Sequence, residues 1–276
     1  MNEVIIIVFE AIYPNLLVEA LVNNPSIKIT KIIKSGNLVG NKSFFKSLIY
    51  FFKKGSLFFL LSKGIELLLY YFSVIFIPQK KRTFKSLKEI SLFYNIPVEI
   101  SYDINNHFKS QESLKYQILF SISYWQRVHR KTLDLFRDSF NIHPAPLPEG
   151  KGLFPSFWLL LYPTKNNRCY QTVHRMAEKI DEGAIIAQGS EELHKHERSS
   201  TRYMLIATEI GCKILKQLKF HQILKPNFVA EHYISGVNTY YSFPSTKDVF
   251  SFWRKGNAFI RLLDIRDLIF KKHAES

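Results

Sequence analysis

Six consecutive apolar residues near the amino terminus, Val4-Ile5-Ile6-Ile7-Val8-Phe9, most constrain what this chain can fold into. The run is dominated by β-branched side chains and has no polar alternation, so neither face suits water. It predicts a strand covered on both sides, as in the centre of a parallel sheet. Further strand patterns follow at 27–33, 96–100, 116–123 and 140–143, with helical patterns between them at 16–21, 86–94 and 130–136. That alternation predicts an α/β fold with a Rossmann-like, mostly parallel, doubly wound sheet. Beyond it, 154–161 is an aromatic helical stretch and 169–174 and 185–188 are short strands. Ser199-Ser200-Thr201 can cap a helix over 203–218, whose Leu205, Ile206, Ile210, Ile214, Leu215 and Leu218 share one stripe. From Lys225 onward the pattern changes to a small C-terminal α+β appendage, containing Tyr233, Tyr240-Tyr241 and Phe243-Pro244. The expected division is a main domain over 1–200, with a helical insertion at about 41–80, and a helix plus appendage over 201–276.

The insertion is unusual. Apolar clusters at Leu48-Ile49-Tyr50-Phe51-Phe52, 57–61 and 67–77 are interrupted by Lys53, Lys54, Lys63 and Glu66. No uncharged run reaches the roughly 18–20 residues of a spanning helix. The favoured reading is two buried helices packed on the sheet. The alternative is a membrane-surface patch over 47–82, with Gln79-Lys80-Lys81-Arg82 facing lipid phosphates.

Several chemistries lack their motifs. The first strand is followed by neither G-x-G-x-x-G nor G-x-x-x-x-G-K, so the usual pyrophosphate cradles are missing. There is no G-x-S-x-G elbow, and neither Cys169 nor Cys212 is near a histidine motif. His194 and His196 flank Lys195 in a charged loop and read as a solvated pair, so no metal is expected. Two cysteines in 276 residues make no disulfide framework, and the start lacks a basic n-region, so a cytoplasmic location is expected. The formal net charge of +15 fits either a composition bias or an anionic partner such as a nucleotide-sugar, tRNA or membrane surface.

What remains is Asn141-Ile142-His143-Pro144. Asn141 and His143 stand two apart on a strand, so they point to one face. Pro144 ends that strand at a sheet edge, where open α/β folds keep their sites. Asp181, in Ile180-Asp181-Glu182-Gly183, offers a carboxylate to orient the imidazole. An amide N–H and an imidazolium can stabilise an oxyanion, and a histidine can take a proton from an attacking amine. A carboxylate beside the histidine favours its charged form. The three together suit direct acyl transfer between two substrates; a strand-end Asn, a satisfied histidine and a turn aspartate would look the same.

Asn141-Ile142-His143-Pro144, Leu147-Pro148, Gly152, Trp158, Thr172-Val173-His174 and Ile180-Asp181-Glu182-Gly183-Ala184-Ile185-Ile186 resemble, in order and spacing, the 10-formyltetrahydrofolate-dependent formyl-transferase family. The resemblance covers 116–188 well and the amino-terminal sheet loosely. It implies that 1–200 is a catalytic domain transferring a formyl group to a primary amine. Asn141 would hold the formyl oxygen, His143 would act as base or oxyanion stabiliser, and Asp181 would orient His143. The family's pterin slot maps onto Ser123, Tyr124, Trp125, Gln126 and Arg127 and onto Ala177, Glu178, Lys179 and Ile180, mainly through backbone groups with Trp125 as an aromatic wall. His174 reads as structural. Lys151 stands where an arginine is usual, and the lead-in to the 169–174 strand departs from the family pattern, but no catalytic group is lost. The segment from Tyr240 to Phe252 resembles tails of sugar N-formyltransferases. A nucleotide-linked amino-sugar acceptor is therefore favoured over methionyl-tRNA, folate hydrolysis or a non-catalytic membrane-surface relative. A homodimer is compatible with the pattern.

Overall fold

The computed structural model describes residues 1–37, 42, 46–47, 49–50, 53, 55–109, 114–163, 167–225, 228 and 238–270. The expected Leu48, Phe51, Phe52, Lys54 and Tyr233 lie outside the described residues. In chain order the strands are β1 (Asn2–Val8), β2 (Ile27–Ser35), β3 (Val98–Ser101), β4 (Leu114–Ile122), β5 (Phe136–His143), β6 (Lys151–Gly152), β7 (Arg168–Arg175), β8 (Ile185–Glu192) and β9 (Tyr240–Tyr241). The helices are α1 (Ile12–Val22), α2 (Leu57–Phe76), α3 (Leu87–Tyr94), α4 (Ile104–Lys109), α5 (Arg130–Leu133), α6 (Pro155–Leu161), α7 (Ser200–Gln217), α8 (Phe220–Ile223), α9 (Thr246–Arg254) and α10 (Leu262–Ile269).

Seven strands form one sheet in the order β3-β2-β1-β4-β5-β7-β8. The pairs from β3 through β5 are parallel, and β7 and β8 complete the sheet antiparallel. This is the expected mostly parallel, doubly wound sheet. The amino-terminal run behaves as its composition requires. Val4, Ile6 and Val8 pack into a core with Leu17, Phe120 and Phe140, while Ile5 and Ile7 pack on the other face with Ile33, Phe108 and Leu119. Burying each such side chain fully contributes about 1.5–3 kcal/mol, so β1 fixes the centre of the sheet. The chain runs outward from β1 to β2 and β3, then returns to lay β4 and β5 on its other side. The carboxyl ends of β1 and β4 therefore mark the topological switch point, where such folds open a crevice.

Local rules set the element ends. Ser86 caps α3 by accepting from the Glu89 amide, Glu89 returns a bond to the Ser86 amide, and Asn95 closes the helix in the left-handed conformation. Ser199 caps α7 through the Arg202 amide. The helix expected over 130–136 stops at Leu133, and β5 starts at Phe136, because Phe136 turns inward to meet Phe108 edge-on at 5.0 Å. β8 runs to Glu192 rather than stopping at Gln188, since β7 offers partners along its whole length.

A second core joins α2, α6, α7 and the C-terminal segment. Phe157 stacks on Phe252 at 4.6 Å, and Phe259 lies 5.2 Å from Phe252. The burial expected of this helical segment is corrected. Residues 57–76 form one continuous helix, and only Phe59, Ser62, Tyr70 and Ser73 of it are buried. Its apolar residues cover almost the full circumference, a pattern that local periodicity reads as core.

Candidate functional site

The site gathers where β5 and β7 meet. Antiparallel pairing sets Asn141 opposite His174 and His143 opposite Thr172. Ile142, between the two candidate groups, points into the core, so strand alternation puts Asn141 and His143 on the other face. His143 is 7% exposed, and its Nε2–H donates to the Gly150 carbonyl at 3.0 Å. That bond leaves Nδ1 as the nitrogen facing Asp181, whose Oδ2 is 3.8 Å away. Asp181 Oδ2 also accepts from the Gly152 amide at 2.9 Å.

The carboxylate has a second imidazole. His174 Nε2 lies 3.5 Å from Asp181 Oδ1 and 3.1 Å from Asn141 Nδ2. Its Nδ1–H donates to the Arg175 carbonyl at 2.8 Å. Nε2 therefore either accepts from the Asn141 amide as a neutral ring or donates to Asp181 as a charged one, with the amide turned to suit. Asn141, His174, Asp181 and His143 thus form one connected polar cluster. Burial opposes the charge on Asp181, but the charge of His143, the hydrogen bond and charge of His174, and the Gly152 amide outweigh it and hold the carboxyl well below the usual range. His174, read from sequence as structural, stands inside the cluster. The signal that could have found it is its position at the end of a β-strand facing Asn141, but antiparallel register is a long-range property.

One tight turn holds this arrangement. Asp181 itself sits at φ +56°, a left-handed conformation that costs an L-residue about 1–2 kcal/mol and that Asp tolerates better than most. Next to it, a β-carbon on Gly183 would stand 1.8 Å from the Arg175 carbonyl oxygen and 2.6 Å from its carbon. Both atoms are backbone, so Gly183→Ala must push the turn away from β7. The expected loss is about 1–3 kcal/mol of stability in a denaturant titration. A change below 0.5 kcal/mol, on the order of an ordinary surface substitution, would show that the turn is free to yield.

The residues expected to form the pterin slot fall on two adjoining loops. Ser123, at φ +50°, is exposed directly after β4, at the switch point. Trp125 packs between Phe9, at 6.2 Å, and Phe154, at 5.3 Å, and so stands as a wall. Gln126 spends its side chain on the fold, accepting from the Ile104 amide and donating to the Tyr102 carbonyl, which leaves its backbone. Tyr124 turns its hydroxyl inward toward Ser35 and Ser101, and burial pushes its pKa up to about 12. Arg127 bridges the loops by donating to the Glu178 carbonyl at 2.8 Å. Ala177 is half-buried, Glu178 and Lys179 are exposed, and Ile180 is 49% exposed beside Asp181.

On the other side of Asp181 a cavity of about 360 Å³ is lined by Leu147, Pro148, Lys151, Lys179, Glu182 and Asn238, among others. Lys151 is buried and reaches Glu182 at 2.9 Å, and Lys179 approaches the same carboxylate at 3.7 Å. The C-terminal segment supplies part of this wall. Thr239 accepts from the Gly150 and Lys151 amides, and β9 pairs with β6, which places Tyr240 and Tyr241 on the loop that contacts His143. Trp158 stacks on Tyr241 at 4.9 Å and donates to the Ser242 carbonyl. Among the described residues no cluster of three or more His, Cys, Asp or Glu could hold a metal.

No family model matches the chain. The structure of a sugar N-formyltransferase from a Shewanella species superposes with a TM-score of 0.53 at 16% identity, covering 96% of this chain and 94% of that one. An N-formyltransferase from Helicobacter canadensis, solved with folinic acid and dTDP-3-aminofucose, gives 0.54 at 17% identity, covering 90% and 72%. The fold is the formyltransferase fold. Within it, 127 residues (45% of this chain) are 34% identical to the bifunctional polymyxin resistance protein ArnA of Wigglesworthia glossinidia brevipalpis, and take in 19% of that longer protein. In formyltransferase-fold terms, the cluster lies at the end of the parallel strands next to the switch point, and the pairing with β9 brings the tail to the same rim.

Proposed function

We propose that this chain transfers a formyl group from 10-formyltetrahydrofolate to the primary amine of a nucleotide-linked amino sugar. The observation that carries the reading is the connected Asn141–His174–Asp181–His143 cluster with a cavity of about 360 Å³ beside Asp181. The two loops joined by Arg127 suit a flat heteroaromatic donor: they offer Trp125 as an aromatic wall, an exposed Ile180 and backbone groups. When bound, the donor supplies the activated formyl carbon. The cavity beside Asp181 sets Lys151 and Lys179 against Glu182 and Asp181, a polar lining that supports a sugar acceptor offering both donors and acceptors. Sugar N-formyltransferases in the same fold, one solved with a dTDP-amino sugar, support that choice.

In this reading Asn141 donates an amide N–H to the formyl oxygen, with its other edge fixed by His174. His143 takes the proton from the incoming amine at Nε2, in the tautomer that carries its hydrogen on Nδ1 beside Asp181, and returns it to the departing donor nitrogen as that nitrogen's bond to the formyl carbon breaks. The Gly150 carbonyl now satisfies His143 Nε2–H, so the acceptor has to displace that contact to reach this edge. Asp181, ionised throughout, keeps a negative charge beside both rings. The test is incubation with 10-formyltetrahydrofolate and a panel of nucleotide-linked amino sugars, read by mass. The expected result is one acceptor gaining one formyl group. If folate is consumed without any formylated amine, the acceptor half of the proposal is wrong. If no folate turns over with any amine, the activity itself is wrong.

A further inference from the structure

Helix α2 shows water a face that proteins seldom expose. Leu61, Ile65, Leu68, Phe72 and Ile75 recur every three or four residues and form one stripe, with Leu68 and Ile75 each 69% exposed. The helix has 20 residues and is long and apolar enough to cross a bilayer, which makes the stripe about 30 Å long. It does not stand away from the body, however. Phe59 is buried near one end, and near the other Tyr70 donates to Glu10 at 2.5 Å. The helix has two charges, Lys63 and Glu66, and they pair with each other at 2.9 Å. It therefore lies lengthwise along the protein, and none of the described residues covers its outer side.

The stripe extends onto a second helix. Phe58 meets Trp253 at 5.3 Å and Phe250 at 6.2 Å, and both belong to α9. Between the helices a cavity of about 320 Å³, lined by Phe58, Leu61, Ile65, Trp253, Phe259 and Ile260, opens on the same face. An apolar recess of this kind takes an apolar occupant rather than water. Exposed Lys80 and Lys81 follow the last turn of α2, and exposed Arg254 and Lys255 follow Trp253 at the other end. The apolar band is thus closed by cations at both ends.

That charge pattern selects the occupant. Two copies pairing α2 antiparallel would set Lys80 and Lys81 of one against Arg254 and Lys255 of the other. Parallel pairing would set each basic end against itself. Like charges meet in either case, whereas an anionic bilayer satisfies both ends at once. We propose that α2 and α9 dock this protein on an anionic membrane surface, with α2 lying in the plane of the interface and lipid chains entering the recess beside Trp253. This placement does not depend on the reaction proposed above.

The experiment is flotation of the full chain with vesicles of phosphatidylcholine alone and of phosphatidylcholine with phosphatidylglycerol. The protein should rise with the mixed vesicles and rise less as salt increases. Leu68→Glu with Ile75→Glu should reduce binding at least tenfold while leaving the circular dichroism and melting curve unchanged, because both side chains are already in water. Lys80→Glu with Lys81→Glu should reduce binding by about fivefold per lysine removed on mixed vesicles. Failure to float with either vesicle overturns the proposal, as does flotation that the Leu68→Glu, Ile75→Glu variant does not weaken. A sedimenting dimer that this variant dissociates, with no flotation, would assign the face to a second copy instead.

Discussion

His143→Ala lowers formyl transfer by about a thousandfold, within the range for loss of a positioned general base. The measurement is the kcat/KM for folate turnover in the presence of the accepted amine. The fold should survive, because the side chain makes one hydrogen bond, to Gly150, and lines a polar cluster rather than the sheet core. Asp181→Asn should also reduce turnover by roughly a hundredfold or more, through loss of the charge beside both imidazoles. The two variants differ in their response to pH. Because the Asp181 carboxyl is held below its ordinary range in the folded protein, its ionised form stabilises the native state. That contribution is fully present above the pKa of an unfolded aspartate and is lost as pH falls toward the folded value. Stability of the parent chain and of His143→Ala, whose Asp181 keeps the His174 and Gly152 contacts, should therefore fall in strong acid. Asp181→Asn should lose that component of the acid sensitivity. Full turnover by His143→Ala would refute its role as base. An unchanged acid profile in Asp181→Asn would show that the carboxylate is not coupled to the rings.

The second large effect is structural. Phe157→Ala should cost about 3–5 kcal/mol, the usual range for emptying a fully buried phenylalanine site. Phe157 is fully buried, stacks on Phe252 at 4.6 Å and on Phe259 at 6.1 Å, and meets Phe59 edge-on at 5.8 Å. It is where α2, α6 and the C-terminal segment share one core, so collapse around the cavity would require three elements to move. For a chain of this size the loss corresponds to a drop of about 6–20 °C in Tm, measured by thermal circular dichroism. Phe157→Leu should recover part of it. A drop under 2 °C, the effect of roughly 1 kcal/mol or less, would mean that these aromatic contacts are not the support they look to be.

Much of the fold could be read in the chain because its strands are local signals. The β1 run, the alternation in β2 and the apolar centre of β4 each declare their burial within a few residues. Asn141, His143 and Asp181 were legible for a related reason: each belongs to a short motif whose neighbours, Pro144 and Gly183, set the backbone around it. The parts missed depend on distant partners. His174 joins the cluster because β7 pairs antiparallel with β5 in one register, and nothing in Thr172-Val173-His174 states that register. The side of α2 that faces water could not be read because its apolar residues leave no polar face to mark outside. Tyr240 and Tyr241 gave a tail signature but no address, since the bond that fixes them spans 89 positions.

That last pairing has a consequence for how the protein is made. Chains emerge from the ribosome amino terminus first, and the sheet with Asn141 and His143 can assemble from what has already emerged. The loop from Gly150 to Leu153, however, donates its backbone amides to Thr239 and Tyr241. A nascent chain therefore holds His143 beside an unfastened loop until residues 239–241 have emerged. The closing strand acts as a timer, and the candidate site is complete only after that strand has been made.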